Sequence, residues 1–196
     1  MLMFAAAGMA GTGSCRQSSH AVPGGLPPMK APHVLVEKSQ RRLTLYDGAA
    51  VVKVYRCCTG RAAGDKEVEG DRKTPEGDFR ICYKNPQSKF TLSLGLSYPD
   101  ERAAARGLRA GLITREEHDR IVAACRALAA ARLGPEATSM PGHDWEKLWK
   151  TRLGGEIMIH GKGAEGGTIG CIGVDDADIR ELYPALPIGT PVRIVP

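Results

Sequence analysis

The chain is poor in the residue patterns that build metal and cofactor sites. Its six cysteines include no Cys-x-x-Cys pair and no zinc-type spacing. The sequence also contains no glycine-rich phosphate-binding motif. We therefore expect no metal ion, nucleotide or other cofactor. Disulfide bonds among Cys57, Cys58, Cys82 and Cys125 stay open, because an oxidising compartment would permit them.

Long hydrophobic runs and clusters of one charge are missing too. No apolar run reaches the length of about 20 residues that a transmembrane helix needs. The formal net charge is +5, but no Lys/Arg run carries interleaved aromatic residues, so we expect no nucleic-acid partner. With 196 residues, 42% of them hydrophobic and 25% charged, the chain has the composition of one ordinary globular domain.

The first 32 residues differ from the rest. Residues 1–15 hold a short apolar run before Gly-Thr-Gly-Ser and Cys15, which is typical of a lipoprotein signal with Cys15 as the lipid anchor. Thr12 stands where such signals usually have an aliphatic residue, and no basic residue precedes Arg16. The alternatives are a cleaved secretory signal, a wrongly chosen start or a disordered end. Residues 16–32 are rich in proline and glycine and predict a tether, so the main domain covers residues 33–196.

The pattern of that domain predicts a mainly β fold with inserted helices, of the α+β class. Residues 34–36, 42–46 and 51–55 alternate or run apolar, and Asp47-Gly48 is a strong hairpin signal. Residues 74–77, Thr-Pro-Glu-Gly, predict a turn that leads into a strand over 79–83. Residues 156–160 predict a buried strand, Asp175 can cap a short helix, and residues 188–195 predict a closing strand.

Residues 101–151 predict a helical insertion in this β fold. Thr114 with Glu117 forms a capping box, and Gly134-Pro135 would end the helix. Such an apolar stripe packs on a core or covers a substrate groove. The apolar positions at helical spacing are Ile121, Val122, Cys125, Leu128, Ala129 and Leu133.

A histidine and a cysteine lie eleven residues apart in the glycine-rich segment 157–172. An imidazole such as that of His160 can take the thiol proton of Cys171 or stabilise the thiolate. A capped structural histidine and a small buried cysteine are the alternatives. His143 is the rival histidine, and no histidine follows Cys171, which excludes a papain-like order.

Three segments together resemble the L,D-transpeptidase (YkuD-type) family of bacterial cell-wall enzymes. They are GDRKTPEGDF at residues 70–79, His160-Gly161, and TIGCI at residues 168–172. The commonest family pattern has histidine where this chain has Ile169, and arginine where it has Gly173. The chain is in this respect similar to a YafK-like branch.

The resemblance implies a mixed β-sandwich or barrel and a cysteine acyltransferase. Cys171 would be the nucleophile and His160 its base, with the carbonyl of Gly161 fixing the imidazole. The N–H groups of Gly170 and Cys171 would stabilise the oxyanion. Thr168 would contribute its hydroxyl group or shape the turn.

The implied reaction is a ping-pong acyl transfer between peptidoglycan stem peptides, through a thioester on Cys171. An amidase or hydrolase that cuts wall or wall–protein cross-links with the same residues is one alternative. A non-catalytic wall-binding protein with a structural Cys171 is the other. The expected partners are stem peptides and a wall-linked protein. The expected location is the cell envelope, either periplasmic or as a membrane-anchored lipoprotein.

Overall fold

The computed structural model of the chain describes residues 25–134, 136–163 and 165–196. The predicted signal segment with Cys15, and residues 16–24 of the predicted tether, lie outside these ranges. The helices are α1 (Glu101–Arg109), α2 (Arg115–Ala130), α3 (Trp145–Trp149) and α4 (Asp176–Ala185). The strands are β1 (Pro32–Glu37), β2 (Arg42–Asp47), β3 (Ala50–Arg56), β4 (Gly77–Asn85), β5 (Ser93–Leu96), β6 (Met158–His160), β7 (Ile172–Gly173) and β8 (Pro191–Val195).

The strands form a mixed sheet in the order β3-β2-β1-β8-β4-β5-β6-β7. β1 pairs with β8 and β6 pairs with β7 in parallel, while the other neighbours are antiparallel. The hairpin between β2 and β3 falls at the predicted Asp47-Gly48. The predicted mainly β architecture with inserted helices is confirmed.

Burial of alternate apolar side chains holds the sheet to the helices. Val34 and Val36 of β1 are fully buried, as are Leu43 and Leu45 of β2. A period of two along a strand places such residues on one face, which here faces the core. Burial of each such side chain contributes about 1.5–3 kcal/mol to stability.

The helical insertion lies between β5 and β6, as predicted for residues 101–151. The capping box at the start of α2 is present: Thr114 accepts from the Glu117 N–H, and the Glu117 carboxylate accepts from the Thr114 N–H. Two details differ from the prediction. Ala129 is exposed, with Ala124 buried instead, and α2 ends at Ala130, before Leu133.

The predicted Thr-Pro-Glu-Gly turn is wrong. Residues 74–76 form no turn and lead directly into β4 at Gly77. The physical reason is that their polar groups bond to distant segments and not to each other. The Thr74 hydroxyl accepts from the Gly60 N–H at 2.8 Å, and the Glu76 N–H donates to the Asp65 carboxylate at 2.8 Å.

Two further boundaries differ from expectation. Asp175 occupies the N-cap position of α4, but its side chain makes no capping hydrogen bond. The tether ends before residue 32, because Pro32 is already in β1 and Leu26 and Met29 pack against the core. Asp47 accepts hydrogen bonds from two N–H groups of that segment.

The five cysteines in the described ranges, Cys57, Cys58, Cys82, Cys125 and Cys171, are free thiols. Burial raises the pKa of Cys57 and of Cys125 to about 12, so these two thiols stay protonated and inert. Within the same ranges, no helix combines the length and the apolar character needed to cross a membrane.

Candidate active site

The pairing of β6 with β7 brings the predicted histidine and cysteine together. Ile159 lies opposite Ile172 and His160 opposite Gly173, in parallel register. Cys171 directly precedes Ile172, the residue of β7 that pairs with Ile159, so this one strand pair carries both the histidine and the cysteine. Both residues line one cleft of about 1370 Å³, here called the His160–Cys171 cleft.

The imidazole of His160 is buried and fixed in one tautomer. It is only 5% exposed, and its Nδ1 lies 2.6 Å from the carbonyl oxygen of Gly161. A carbonyl can only accept, so Nδ1 carries the proton and Nε2 is left with a free lone pair. Burial lowers the pKa of His160, while the hydrogen bond to Gly161 acts in the opposite direction. The lowered pKa favours a neutral imidazole whose Nε2 can accept a proton.

Gly161 is required at the position that supplies this carbonyl. A Cβ atom there would lie 2.5 Å from an oxygen of Asp176 and 2.9 Å from the carbonyl oxygen of Phe90. The Gly161 N–H donates to that same Phe90 carbonyl at 3.1 Å. The backbone that orients His160 therefore packs tightly against Asp176 and Phe90, and a side chain at residue 161 would prevent this packing.

The thiol of Cys171 is half-buried and donates to the carbonyl oxygen of Glu156 at 3.3 Å. Burial raises the pKa of this thiol, although the Met158 backbone hydrogen bond acts in the opposite direction. The hydrogen bonds of His160 and Cys171 in the described structure run to the backbone and not to each other. The lowered pKa of His160 and the raised pKa of Cys171 both favour a neutral imidazole and a neutral thiol at rest.

The turn before Cys171 is built by hydroxyl groups. Thr168 Oγ1 accepts from the Gly170 N–H at 3.0 Å and donates to the Cys171 carbonyl at 2.7 Å. From the other side, Thr74 Oγ1 donates to the Gly170 carbonyl at 2.8 Å. Thr74 belongs to the TPEG segment, so this motif supports the turn before Cys171, although Thr74 itself does not line the cleft. The Gly170 N–H is engaged by Thr168, whereas no acceptor within the described ranges pairs with the Cys171 N–H.

A buried ion pair holds the charged loop that flanks Cys171. Lys66 Nζ lies 2.9 Å from Asp71, and their side chains are only 4% and 10% exposed. The N–H groups of Glu67, Val68 and Lys73 also donate to the Asp71 carboxylate. These donors and Lys66 hold the pKa of Asp71 below its ordinary value, although burial opposes them. Removing one partner of such a pair would leave an uncompensated buried charge.

Backbone strain is concentrated around the cleft. Arg72, Glu156 and Lys162 have φ values of +59°, +53° and +57°, and all three line the cleft. Non-glycine residues in this region of backbone space cost about 1–3 kcal/mol each and cluster at functional sites. The strain supports the assignment of a functional site that the motifs predict.

The other histidines lie elsewhere. His33 stacks on Tyr46, His118 pairs with Asp119, and His143 does not line the cleft; His20 is outside the described residues. Within the described ranges, no three His, Cys, Asp or Glu side chains are grouped to hold a metal ion.

Three features of the site could not be predicted from a local sequence pattern. They are the Phe90 ring stacked on His160, the Glu156 carbonyl, and the Cys58 thiol bonded to the Gly163 carbonyl.

Comparison with known proteins adds a family and a fold. The model of the YkuD family, described as an L,D-transpeptidase catalytic domain, matches residues 31–194. No curated protein matches the chain. The structure of the helical cell shape determining protein Pgp2 (K307A mutant) from Campylobacter jejuni is similar, with TM-score 0.51 and 18% identity over 87% of this chain and 49% of that one.

Two other solved structures are similar at lower TM-scores. Bd1075 from Bdellovibrio bacteriovorus gives 0.48, with 19% identity over 89% of this chain and 53% of that one. An L,D-transpeptidase (residues 123–326) from Xylanimonas cellulosilytica gives 0.45, with 14% identity over 87% of this chain and 63% of that one. The chain spans about half the length of Pgp2 and Bd1075.

Proposed function

Because the chain belongs to the family of L,D-transpeptidase catalytic domains, we propose that it is a cysteine acyltransferase acting on peptidoglycan stem peptides. The observation that carries the proposal is the shared cleft of His160 and Cys171, with the imidazole held as a neutral base by the Gly161 carbonyl. The family prediction made from the three motifs is confirmed. The YafK-like branch, indicated by Ile169 and Gly173, stays a prediction.

In the proposed first half-reaction, His160 Nε2 takes the proton of the Cys171 thiol as the sulfur attacks a carbonyl carbon. That carbonyl belongs to the diamino-acid residue of a stem peptide, next to a D-centre. The protonated imidazole then donates to the departing amine, and a thioester on Cys171 is left. The neutral resting state of both groups supports transfer of the proton at the moment of attack, in place of a preformed ion pair.

The Cys171 N–H is the oxyanion donor that the hydrogen bonds support best. The Gly170 N–H, the other donor expected from the sequence, already donates to Thr168 Oγ1 and so stabilises the turn. Thr168 then acts as a positioning residue, since it binds the backbone on both sides of Gly170. Loss of one oxyanion donor costs about 2.7–4 kcal/mol of transition-state stabilisation.

The second half-reaction decides between transferase and hydrolase. An amine from another stem or from a wall-linked protein gives a cross-link, and water gives hydrolysis; the same site supports both. Consistent with such substrates, we propose that the chain acts in the cell envelope, with the predicted domain 33–196, extended at its start by Pro32 of β1, as its catalytic domain. Residues 1–15 would be the export signal and Cys15 its lipid anchor, joined to the domain by the tether.

Mass spectrometry of peptidoglycan fragments incubated with the protein tests this function. New or exchanged cross-links that the Cys171→Ala variant fails to make would establish the transferase. Cys171-dependent loss of cross-links, or release of a linked protein, would establish the hydrolase. Cys125→Ala is the matched control, since it removes a thiol from α2. Identical products from wild type and Cys171→Ala would overturn the enzyme and favour a wall-binding protein.

A further inference from the structure

Asp176, the first residue of α4, connects two loops that meet beside His160. Its Oδ1 atom accepts from the Lys162 N–H at 2.8 Å and from the Thr91 hydroxyl group at 2.8 Å. Lys162 and Thr91 have φ values of +57° and +74°, which a non-glycine residue seldom adopts unless its surroundings hold it there. One carboxylate oxygen therefore binds two loop positions that have an unfavourable backbone conformation.

The Lys162 N–H that Asp176 binds belongs to the same peptide group as the carbonyl of Gly161. That carbonyl oxygen lies 2.6 Å from His160 Nδ1. A trans peptide group is planar, and its N–H and C=O bonds point in opposite directions. Asp176 and His160 therefore bind the two ends of one rigid unit, and a rotation of that unit would break both hydrogen bonds.

The packing around Gly161 agrees with this close approach. A Cβ atom at residue 161 would lie 2.5 Å from the Oδ1 atom of Asp176. On the other loop, Phe90 directly precedes Thr91, and its carbonyl oxygen accepts from the Gly161 N–H at 3.1 Å. Both peptide groups of Gly161 are thus held, the one before it by Phe90 and the one after it by Asp176.

Asp176 binds these donors as a carboxylate. The hydrogen bond from the Thr91 hydroxyl group, together with that from the Lys162 N–H, lowers the pKa of Asp176 below its ordinary value of 3.8. Hydrogen bonds to an ionised acceptor are about twice as strong as neutral ones. Negative charge at the N–H end also polarises the peptide group, which makes the Gly161 carbonyl a better acceptor for the Nδ1–H of His160.

We propose that Asp176 is a positioning residue that keeps the proton of His160 on Nδ1 through the Gly161–Lys162 peptide group. The inference rests on the proposed function and deepens it, because a proton on Nδ1 leaves the Nε2 lone pair free for the Cys171 thiol. In this role Asp176 touches neither the substrate nor a reacting atom. Its effect reaches the reaction only through the tautomer and the orientation of the imidazole.

The two aspartates at the start of α4 offer a matched comparison. Asp175 is exposed at the N-cap position, and its side chain makes no capping hydrogen bond. Asp175→Ala therefore removes a neighbouring acidic group without removing a loop contact. Asp176→Ala removes both hydrogen bonds, and Asp176→Asn keeps an oxygen that can accept them. Thr91→Val removes one of the two donors and serves where Asp176→Ala does not fold. Leu43→Ala, which truncates a fully buried side chain of β2, controls for a general loss of stability.

The tautomer of His160 is measured directly by NMR of protein labelled with nitrogen-15 histidine. The protonated and the bare ring nitrogen have different shifts, and His160→Gln assigns the signals. Spectra are recorded at about pH 8, above the ordinary histidine pKa of about 6.5, so that the neutral imidazole is observed. In wild type, Asp175→Ala and Leu43→Ala we expect the proton on Nδ1. Asp176→Ala should show a mixture of the two tautomers, and Thr91→Val a smaller change in the same direction. Asp176→Asn should stay near wild type.

Acylation by a stem peptide gives the second readout. The thioester adduct on Cys171 is followed by mass spectrometry over a range of peptide concentrations. Asp176→Ala should slow acylation at saturating peptide by about tenfold to a hundredfold, because a displacement of the base by about 1 Å is enough for such a loss. KM should stay within about twofold of wild type, since Asp176 does not line the cleft. Asp176→Asn should recover most of the rate, and Asp175→Ala should match wild type.

Each outcome decides the inference. An unchanged Nδ1 tautomer in Asp176→Ala would overturn it, whatever the acylation rate, and a changed tautomer with normal acylation would overturn the role in the reaction. The same tautomer change in Leu43→Ala would overturn it too, because general loosening would then be the cause. A change in Asp176→Asn as large as in Asp176→Ala would overturn positioning by hydrogen bonds. Absence of a thioester adduct in wild type would overturn the proposed function, while the tautomers would still decide whether Asp176 positions the imidazole.

Discussion

The ring of Phe90 stacks on the imidazole of His160, with ring centroids 4.4 Å apart and planes inclined by 25°. The stacked ring covers one face of the imidazole and so contributes to the burial of His160, which is only 5% exposed. Because burial is the main cause of the lowered His160 pKa, Phe90→Leu should raise that pKa toward its ordinary value of 6.5. We expect the acidic limb of the pH–acylation profile to move to higher pH.

The matched control for this variant is Val54→Ala, which trims an apolar side chain, 52% exposed, on the edge strand β3. It should leave the pH profile where it is. Phe90→Leu should also lower the free energy of unfolding by only about 1 kcal/mol, the scale of one aromatic contact. An acidic limb at the same pH in wild type and Phe90→Leu would show that Phe90 does not control the environment of the base.

Acid should destabilise the fold through His160. The pKa of this buried imidazole is lowered from 6.5 in the folded state, so between the two values the unfolded chain binds more protons. The stabilising contribution is therefore complete above about pH 6.5 and is lost as the pH falls through the folded-state pKa. Urea unfolding at pH 7.5 and pH 5 should show a larger loss for wild type than for His160→Gln. Equal losses in the two proteins would contradict the assignment.

The pH dependence of Cys171 alkylation follows from its surroundings. Burial raises the thiol pKa above its ordinary value of 9.0, so little thiolate exists at neutral pH. We expect iodoacetamide to modify Cys171 slowly at pH 7, with a rate that rises with pH to a midpoint above 9. Cys171→Ala measures the background from the other thiols. A pH-independent, rapid reaction at and below pH 7 would instead demonstrate a preformed thiolate–imidazolium pair.

The sequence predicted the parts of this protein that depend on neighbours in the chain. The hairpin at Asp47-Gly48 and the capping box at Thr114 are formed by groups within a few residues of each other. The TPEG segment shows the limit, because Thr74 bonds to a carbonyl 96 residues away. A local turn preference cannot anticipate such a partner, which exists only after the fold has formed.

The same distinction between local and distant partners applies to the residues of the candidate site. His160 and Cys171 were identified from motifs because both residues lie on one short stretch of chain. Phe90 lies 70 positions before His160 in the chain, yet its ring stacks on the imidazole. The pairing of β5 with β6, which sets Ser93 opposite His160, brings the two rings together. The register of antiparallel strands depends on the whole sheet, so no local pattern in the sequence indicated that Phe90 belongs to the site.

Gly173, which stands where the commonest family pattern has arginine, should not tolerate a side chain. A Cβ atom there would collide with the Gly163 carbonyl and lie 2.9 Å from the Cys58 sulfur. Gly173→Ala should therefore lower the free energy of unfolding by about 1–3 kcal/mol, measured by urea denaturation. Gly134→Ala is the control, since its Cβ would meet no atom within 4 Å. Equal stability of the two variants would show that the β7 region relaxes without cost.

Ile169 should contribute to substrate binding and not to stability. It stands where the commonest family pattern has histidine, and its side chain is 74% exposed on the cleft wall, two residues before the nucleophile. Its place on the cleft wall lets this apolar side chain pack against a bound molecule, which would remove its surface from water. Ile169→Ser should leave Tm unchanged and raise KM about fivefold, equivalent to ~1 kcal/mol of lost apolar contact, with little change in kcat. Ile169→Leu should behave as wild type. A fall in kcat with unchanged KM would place the side chain at the reacting atoms, and a lower Tm would make its role structural.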